Sequence, residues 1–297
     1  MPTLANIVRA FGVEPDSIRQ IARRQNVHWA VRAGDARYVL RRYGAETPGD
    51  AAWEIDSIER LAKAGVPVPR VVGGLREIEG ARYILMPWLG RRRLAHPPVS
   101  DTAYERLGSF LADFHSATSH LPEPPQRPKW TSNVDGAFPR TGGATRRAEL
   151  LAALAEVDAT MARRLADAAA TLEARDLPRV FAGYPRRLVH GDFAPWNIRV
   201  HGQGITGVID FDLAHVDVRA ADIAMARRGS HDGVVRGYLK RATLTDVEID
   251  SLDALWTGGS LCGVWSVLES RLAAGRVTTQ GLEWNVEQLG KTRPYRG

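Results

Sequence analysis

Cysteine is nearly absent from this 297-residue chain: Cys262 stands alone. One thiol cannot form an internal disulfide, which excludes the stapled secreted domains and fits a reducing compartment. Its surroundings, GGSLCGVWSVL, are apolar, so Cys262 reads as a small buried hydrophobe and not a nucleophile. Long apolar runs are missing too, since none approaches the roughly 18 residues of a membrane span. The first residues, MPTLANIVRAFGVEPDS, lack the charged start and apolar core of a secretory leader. These absences lead to the expectation of a cytoplasmic protein without a membrane partner. Segregated charge is also lacking: the net charge is +6, but the signs are interspersed. The one dense basic cluster, Arg91-Arg92-Arg93, reads as a solvated turn or phosphate contact, so no nucleic-acid partner is expected.

What is present is an ordinary globular composition, 44% hydrophobic and 25% charged, long enough for two parts sharing a cleft. The first part reads as sheet. SIRQIARR, WAVRAG and ARYVLRRY are extended runs, with Gly34-Asp35 as a hairpin turn. Asp50 is placed to cap a helix in which Ile55, Ile58, Leu61 and Ala62 recur at helical spacing and Gly65 ends the run. VPVPRVVGGL and ARYILMPWL supply two further extended runs. Beyond Leu89 the pattern is mostly helical. Thr102-Ala-Tyr-Glu105 has capping-box spacing ahead of LGSFLADFHSAT. Residues from Pro122 to Gly143 read as an irregular insertion. RAELLAALAEVDATMARRLADAAATLEAR reads as one or two helices. Thr245-Asp-Val-Glu248 opens a helix that Gly258-Gly259 are expected to interrupt.

Chemistry concentrates in RLVHGDFAPWNIRVHGQGITGVIDFDLAHVDVRAADIA. Val189-His190 end a strand, and NIRVH and ITGVIDF form a hairpin across Gly202-Gln203-Gly204. An antiparallel hairpin returns the chain to its starting end, so Asn197 and Asp210 are expected to converge. One carboxylate and one amide oxygen suit Mg²⁺, with phosphate and water completing the octahedron. Asp192 is a second carboxylate nearby that the metal does not need. Metal on phosphates with a separate base at an acceptor hydroxyl is what phosphoryl transfer requires.

Asp192 to Asn197 matches the D-x-x-x-x-N of the protein-kinase catalytic loop, and Asp210 takes the place of the aspartate in D-F-G. His190-Gly191-Asp192, Ile209-Asp210-Phe211 and Asp222-Ile223-Ala224 closely resemble the aminoglycoside phosphotransferase and choline kinase group of small-molecule kinases. The resemblance implies an α+β, bilobal protein-kinase-like fold. Residues 1–88 would form a small antiparallel-sheet N-lobe, and residues 89–297 a larger, mostly helical C-lobe holding the catalytic loop and acceptor site. It further implies that Arg41 stands where the phosphate-binding lysine belongs, paired by Glu54, although both also read as surface charges. Met86 to Trp88 would meet the adenine through the backbone, and because Pro87 has no N–H the donor falls to Trp88 or a neighbour. The turn at Arg24-Gln25-Asn26-Val27-His28-Trp29 departs from the pattern, since it has no glycine. His190 and Asp222 are expected to support the site.

The implied activity is an ATP- or GTP-dependent, Mg²⁺-dependent phosphotransferase acting on a small-molecule hydroxyl, as a monomer or homodimer. An antibiotic such as an aminoglycoside leads as acceptor, with a homoserine- or choline-like amino alcohol as the alternative. Asp246, Glu248, Asp250, Asp253 and Glu269 read either as an acidic acceptor surface or as ordinary helix-dipole matching. Trp256, Trp265 and Trp284 read as stacking faces or as core, and Trp196 as packing beneath the loop. A silent kinase-fold binding protein stays open because of Arg41 and the glycine-free turn. A protein kinase fits less well, because no A-P-E-like segment follows Asp210.

Overall fold

Alternation of apolar and polar residues builds the first part of the chain as a sheet. The structure, a computed structural model, describes residues 2–23, 26–44, 51–90, 92–128 and 130–295. It divides into two units: Met1–Arg93 with Asn197–Asp212, and Leu94–Trp196 with Leu213–Gly297. In the first unit, β1 (Ser17–Arg23), β2 (Val27–Ala33), β3 (Ala36–Arg42), β4 (Val72–Ile78) and β5 (Ala81–Pro87) form one antiparallel sheet of order β1-β2-β3-β5-β4. Successive side chains of a strand point to opposite faces, and β3 and β5 use both. Leu40, Tyr83 and Leu85 join Val27, Trp29 and Val31 on one face, against Ile7, Val8 and Phe11 from helix α1 (Leu4–Arg9) and just beyond it. Ile84 packs with Tyr43 and with Ala51 of α2 (Ala51–Lys63) in a separate cluster. Full burial of Leu40 or Leu85 contributes ~1.5–3 kcal/mol each.

Some local expectations change. Helix α1 is one that hydrophobic periodicity misses, because six residues are too few to show it; Thr3 caps it by accepting from the Asn6 N–H. The run from Val66 becomes a strand only at Val72, since Pro67 and Pro69 precede it and Gly73 and Gly74 at positive φ disturb its register with β5. Asp50, Arg24, Gln25 and Arg91 lie outside the described residues. The hairpin β7 (Ile198–His201) and β8 (Gly204–Val208) belongs to this first unit, tied to it by the Val208 N–H donating to Pro67 O at 2.7 Å. Strand β8 stops three residues before Phe211, because Asp210 turns to φ 72°.

The second unit is helical around one short ladder. It contains α3 (Asp101–Thr118), α4 (Gly143–Ala155), α5 (Ala159–Ala174), α6 (Leu177–Val180), α7 (Arg219–Arg227), α8 (Gly233–Leu239), α9 (Asp246–Asp250), α10 (Leu252–Ala273) and α11 (Glu283–Leu289). Strand β6 (Arg187–Val189) pairs antiparallel with β9 (His215–Asp217). Helix α3 is capped by Ser100, not Thr102; the Ser100 Oγ accepts from the Ala103 N–H, and Thr102 and Glu105 lie inside the helix. The expected break at Gly258-Gly259 does not occur. A Cβ on Gly258 would lie 2.0 Å from Asn133 O, so the glycine admits a neighbouring backbone and does not end α10. The Thr245–Glu248 capping box forms as read. Among the described residues no helix is long and apolar enough to cross a membrane.

Candidate active site

Period-two geometry explains the first cluster. Leu40 faces α1, so Arg41 must point to the opposite face, beside Ile84, its partner in the ladder. There Arg41 is 3% exposed and donates from Nη1 to Glu54 Oε1 of α2 at 2.8 Å, with Glu54 1% exposed. Its Nη2 donates to Asp212 Oδ1. Tyr43 lies under the guanidinium, 4.4 Å from ring centroid to Cζ, and its hydroxyl donates to Glu54 Oε2 at 3.3 Å. Burial alone would lower the Arg41 pKa, but Glu54, Asp212, Tyr43 and Asp210 together raise it. A forked guanidinium binds two carboxylates at once, which a lysine ammonium does with poorer geometry. This gives a local reason for arginine here.

Nothing local in the sequence assigns Asp212 a role, because its partner Arg41 is 171 residues away. Its second oxygen accepts from Asn26 Nδ2 at 2.7 Å, and Asn26 Oδ1 accepts from the Gly44 N–H at 3.1 Å. Asn26, in the glycine-free turn, is therefore a buried brace between the start of β2, the end of β3 and the segment after Asp210. His28, paired with Arg41 in register, has its pKa lowered to about 4 by burial and by that cation.

In the hairpin, the Ile209 N–H donates to Asn197 O at 3.0 Å, so Asn197 and the residue preceding Asp210 stand opposite each other. Asn197 is buried and Asp210 exposed. Both offer oxygen, the donor type that Mg²⁺ prefers, and Mg²⁺ commonly takes few protein ligands beside phosphate and water. Among the described residues no group of three or more His, Cys, Asp or Glu is placed to hold a metal ion. Trp88, expected with its neighbours to supply the adenine donor, spends its backbone N–H on Arg37 O at 2.9 Å, an extension of the β3–β5 ladder. Its indole Nε1 is buried with no partner among the described residues. Met86 stays in the ladder opposite Val39.

The second unit carries the turn that follows β6. Gly191 adopts φ 75°, and a Cβ there would lie 2.1 Å from Leu213 O. Asp222, fully buried in the first turn of α7, accepts from the His190 N–H at 2.8 Å and the Gly191 N–H at 2.9 Å. It also meets His115 Nε2 at 3.3 Å, and His115 Nδ1 lies 3.0 Å from the Tyr238 hydroxyl. Burial would raise the Asp222 pKa, but His115 and His190 bring it below its ordinary value. Burial lowers the His115 pKa against the pull of Asp222. The Asp192 N–H in turn donates to His190 Nδ1 at 3.2 Å. So three buried groups hold the turn that presents Asp192. His115 was legible only as a polar residue on the buried stripe Leu107, Leu111, Phe114.

Asp192 is paired. Arg228 Nη1 donates to its Oδ1 at 2.8 Å, with the two side chains 20% and 26% exposed. Arg228 lies over Trp196, 4.6 Å from the ring centroid. Trp196 is thus half-buried under a cation, and Phe193 is fully buried and edge-on to His190. Other expectations also shift. Glu248 is buried against Arg219 at 2.6 and 2.8 Å, Asp253 lies 3.7 Å from Arg175, and Glu269 3.9 Å from Arg146. Three of the five acids, Glu248, Asp253 and Glu269, thus face arginines from other helices or their ends. Trp256 and Trp265 are core, donating to Gln288 O and Gly136 O, while Trp284 is 49% exposed. Cys262 is buried with a raised pKa, as its apolar neighbours imply.

A five-stranded antiparallel sheet with a buried cation–carboxylate pair, and a helical unit with a braced Asp-bearing turn, define a kinase-like phosphotransferase. Residues 17–255 match the model of the phosphotransferase enzyme family, and the chain belongs to that family. A homoserine kinase of Chelativorans sp. (strain BNC1) is 28% identical, over 80% of this chain and 74% of its own. A homoserine kinase of Granulibacter bethesdensis is also 28% identical, over 80% and 75%. The fold is shared with a thermostable mutant of aminoglycoside phosphotransferase APH(4)-Ia in complex with ADP and hygromycin B, at TM-score 0.68 and 17% identity over 97% of both chains. A microcompartment-associated aminopropanol kinase superimposes at TM-score 0.60 and 17% identity, covering 96% of this chain and 94% of that one.

Proposed function

We propose that this phosphotransferase moves the γ-phosphoryl group of ATP or GTP to the hydroxyl of a small molecule. The observation that carries the reading is the first unit's cluster: a fixed, buried Arg41 cation in the same unit as the hairpin that brings Asn197 and Asp210 to one end. Arg41, oriented by Glu54, holds phosphate charge. Mg²⁺ held by Asn197 and Asp210 would supply neutralising charge at the phosphates. Asp192 takes the proton of the acceptor hydroxyl as that oxygen bonds to the γ-phosphorus. The bridging P–O bond then breaks, and nucleoside diphosphate leaves with the bonding electrons. His190 and Asp222 act by positioning the turn, and Met86 to Trp88 border the nucleotide base.

Between the two acceptor classes expected from the sequence, the smaller amino-alcohol type is the better supported. A polycationic antibiotic favours unpaired acids, whereas Glu248, Asp253 and Glu269 are matched by arginines. The homoserine kinase relatives point the same way. The test is a panel of hydroxylated small molecules with Mg-ATP and Mg-GTP, product detected by mass spectrometry. Transfer abolished by Asp210→Ala upholds the reading, and equal transfer by wild type and variant overturns it. One observation favours a silent binding protein: Arg41 is engaged by carboxylates at both Nη atoms. Any phosphorylated product eliminates that alternative.

A further inference from the structure

We propose that Arg228 is the acceptor-binding cation, and that the acceptor carries a carboxylate a few bonds from the hydroxyl it presents to Asp192. This rests on the kinase reading and on Asp192 as the base. A hydroxyl giving its proton to Asp192 must come within about 2.6–3.2 Å of that carboxylate. Arg228 Nη1 is already 2.8 Å from Asp192 Oδ1, so the guanidinium lies within one functional group's reach of the reacting oxygen. An ammonium placed against Arg228 would meet like charge, whereas a carboxylate, including that of a zwitterionic amino alcohol, would meet a matched fork.

Arg228 is also held ready. It ends α7 in the left-handed conformation at φ 51°, although Gly229 follows it and a glycine would adopt that geometry without strain. A non-glycine residue kept at such a position points to use of its side chain. The guanidinium is set against Trp196 at 4.6 Å and lies 6.0 Å from the ring centroid of exposed Trp284. Among the described residues its one hydrogen bond is to Asp192, which leaves the rest of a five-donor fork for a ligand. The neighbouring acid does not compete, since Asp232 is bound by Arg227 at 2.6 Å and by Arg293 at 3.3 Å. Acceptor binding then hands Arg228 from Asp192 to the carboxylate, and Asp192 turns to the hydroxyl.

The experiment compares hydroxy acids with their decarboxylated counterparts: L-homoserine with 3-aminopropan-1-ol, L-serine with ethanolamine, and 4-hydroxybutyrate with propan-1-ol. Wild type, Arg228→Gln and Arg228→Lys are assayed, and the readout is the ratio of kcat/KM within each pair. Wild type is expected to prefer the acid by about 100-fold, the ratio to collapse in Arg228→Gln, and Arg228→Lys to keep part of it. Transfer to the amino alcohols with no acid preference overturns the inference and leaves the kinase reading standing. The inference also fails if glycerol 3-phosphate is preferred to glycerate, because a phosphate is then the ligand. Absence of transfer to every compound counts against the kinase reading, and tryptophan fluorescence then decides the anion site separately. Saturable quenching by 4-hydroxybutyrate that Arg228→Gln abolishes upholds it, and an unchanged signal overturns it.

Discussion

Replacing Asp222 by asparagine exchanges one buried carboxylate oxygen for an amide NH₂ and leaves the volume unchanged. One oxygen of Asp222 accepts from the His190 N–H and His115, and the other from the Gly191 N–H. Whichever oxygen is lost, at least one buried donor faces another donor. An orphaned buried N–H costs about 1–3 kcal/mol, and the remaining bonds lose their charge assistance. The expected loss is about 2–4 kcal/mol out of a typical 5–15, so the variant folds. Urea unfolding at pH 7 measures it. The same change loosens the turn that carries Asp192, and a misplacement near 1 Å lowers kcat by roughly 100-fold. Nucleotide KM should stay close to wild type, because Arg41 and Asn197 belong to the other unit. The sign with pH follows from the depressed Asp222 pKa. Its contribution is present above the unfolded carboxylate pKa and is lost as pH falls through the folded one, so wild type and variant converge in acid. A variant within about 0.5 kcal/mol of wild type at pH 7, with unchanged kcat, refutes the bracing role.

Arg41→Lys keeps the charge but gives up the fork between Glu54 and Asp212; urea unfolding should record a loss of about 1–3 kcal/mol, and an unchanged midpoint would mean that the fork is not used. His28 sits near Arg41 with a pKa lowered to about 4, so its unfolded form takes up a proton first as pH falls. Stability should therefore decline from about pH 6.5 to about pH 4, by up to about 3 kcal/mol, and His28→Gln should flatten that slope; parallel pH profiles for the two proteins would contradict it. Gly258→Ala drives a methyl into the Asn133 carbonyl and should lower stability by about 3 kcal/mol in the same assay, whereas a broken α10 would tolerate it.

The sheet was legible because period-two patterning in WAVRAG and ARYVLRRY is local, and because Gly34-Asp35 marks the turn. The Thr245 capping box was legible for the same reason. The spacing of Asp192, Asn197 and Asp210 could be read as motif, and so could the family. Partners far apart in the chain could not. Asp212 reaches Arg41 across 171 residues, and Arg228 reaches Asp192 across 36 from the end of a different element. Gly258 misled because a helix-weakening residue was read without the backbone it admits. The partners of the acidic run were equally out of reach, since Arg219, Arg175 and Arg146 come from three other helices or their ends. Local propensity carries no record of such cross-chain pairing, which tertiary packing decides.

In the proposed mechanism Asp192 takes the acceptor's proton during phosphoryl transfer. The most direct test of this step follows formation of the phosphate monoester by ³¹P NMR with Mg-ATP and the best acceptor from the panel, using wild type and Asp192→Asn. Wild type should form the ester and the variant should be slower by roughly 100-fold or more, with nucleotide still bound by both. Equal rates of ester formation in the two proteins would contradict it.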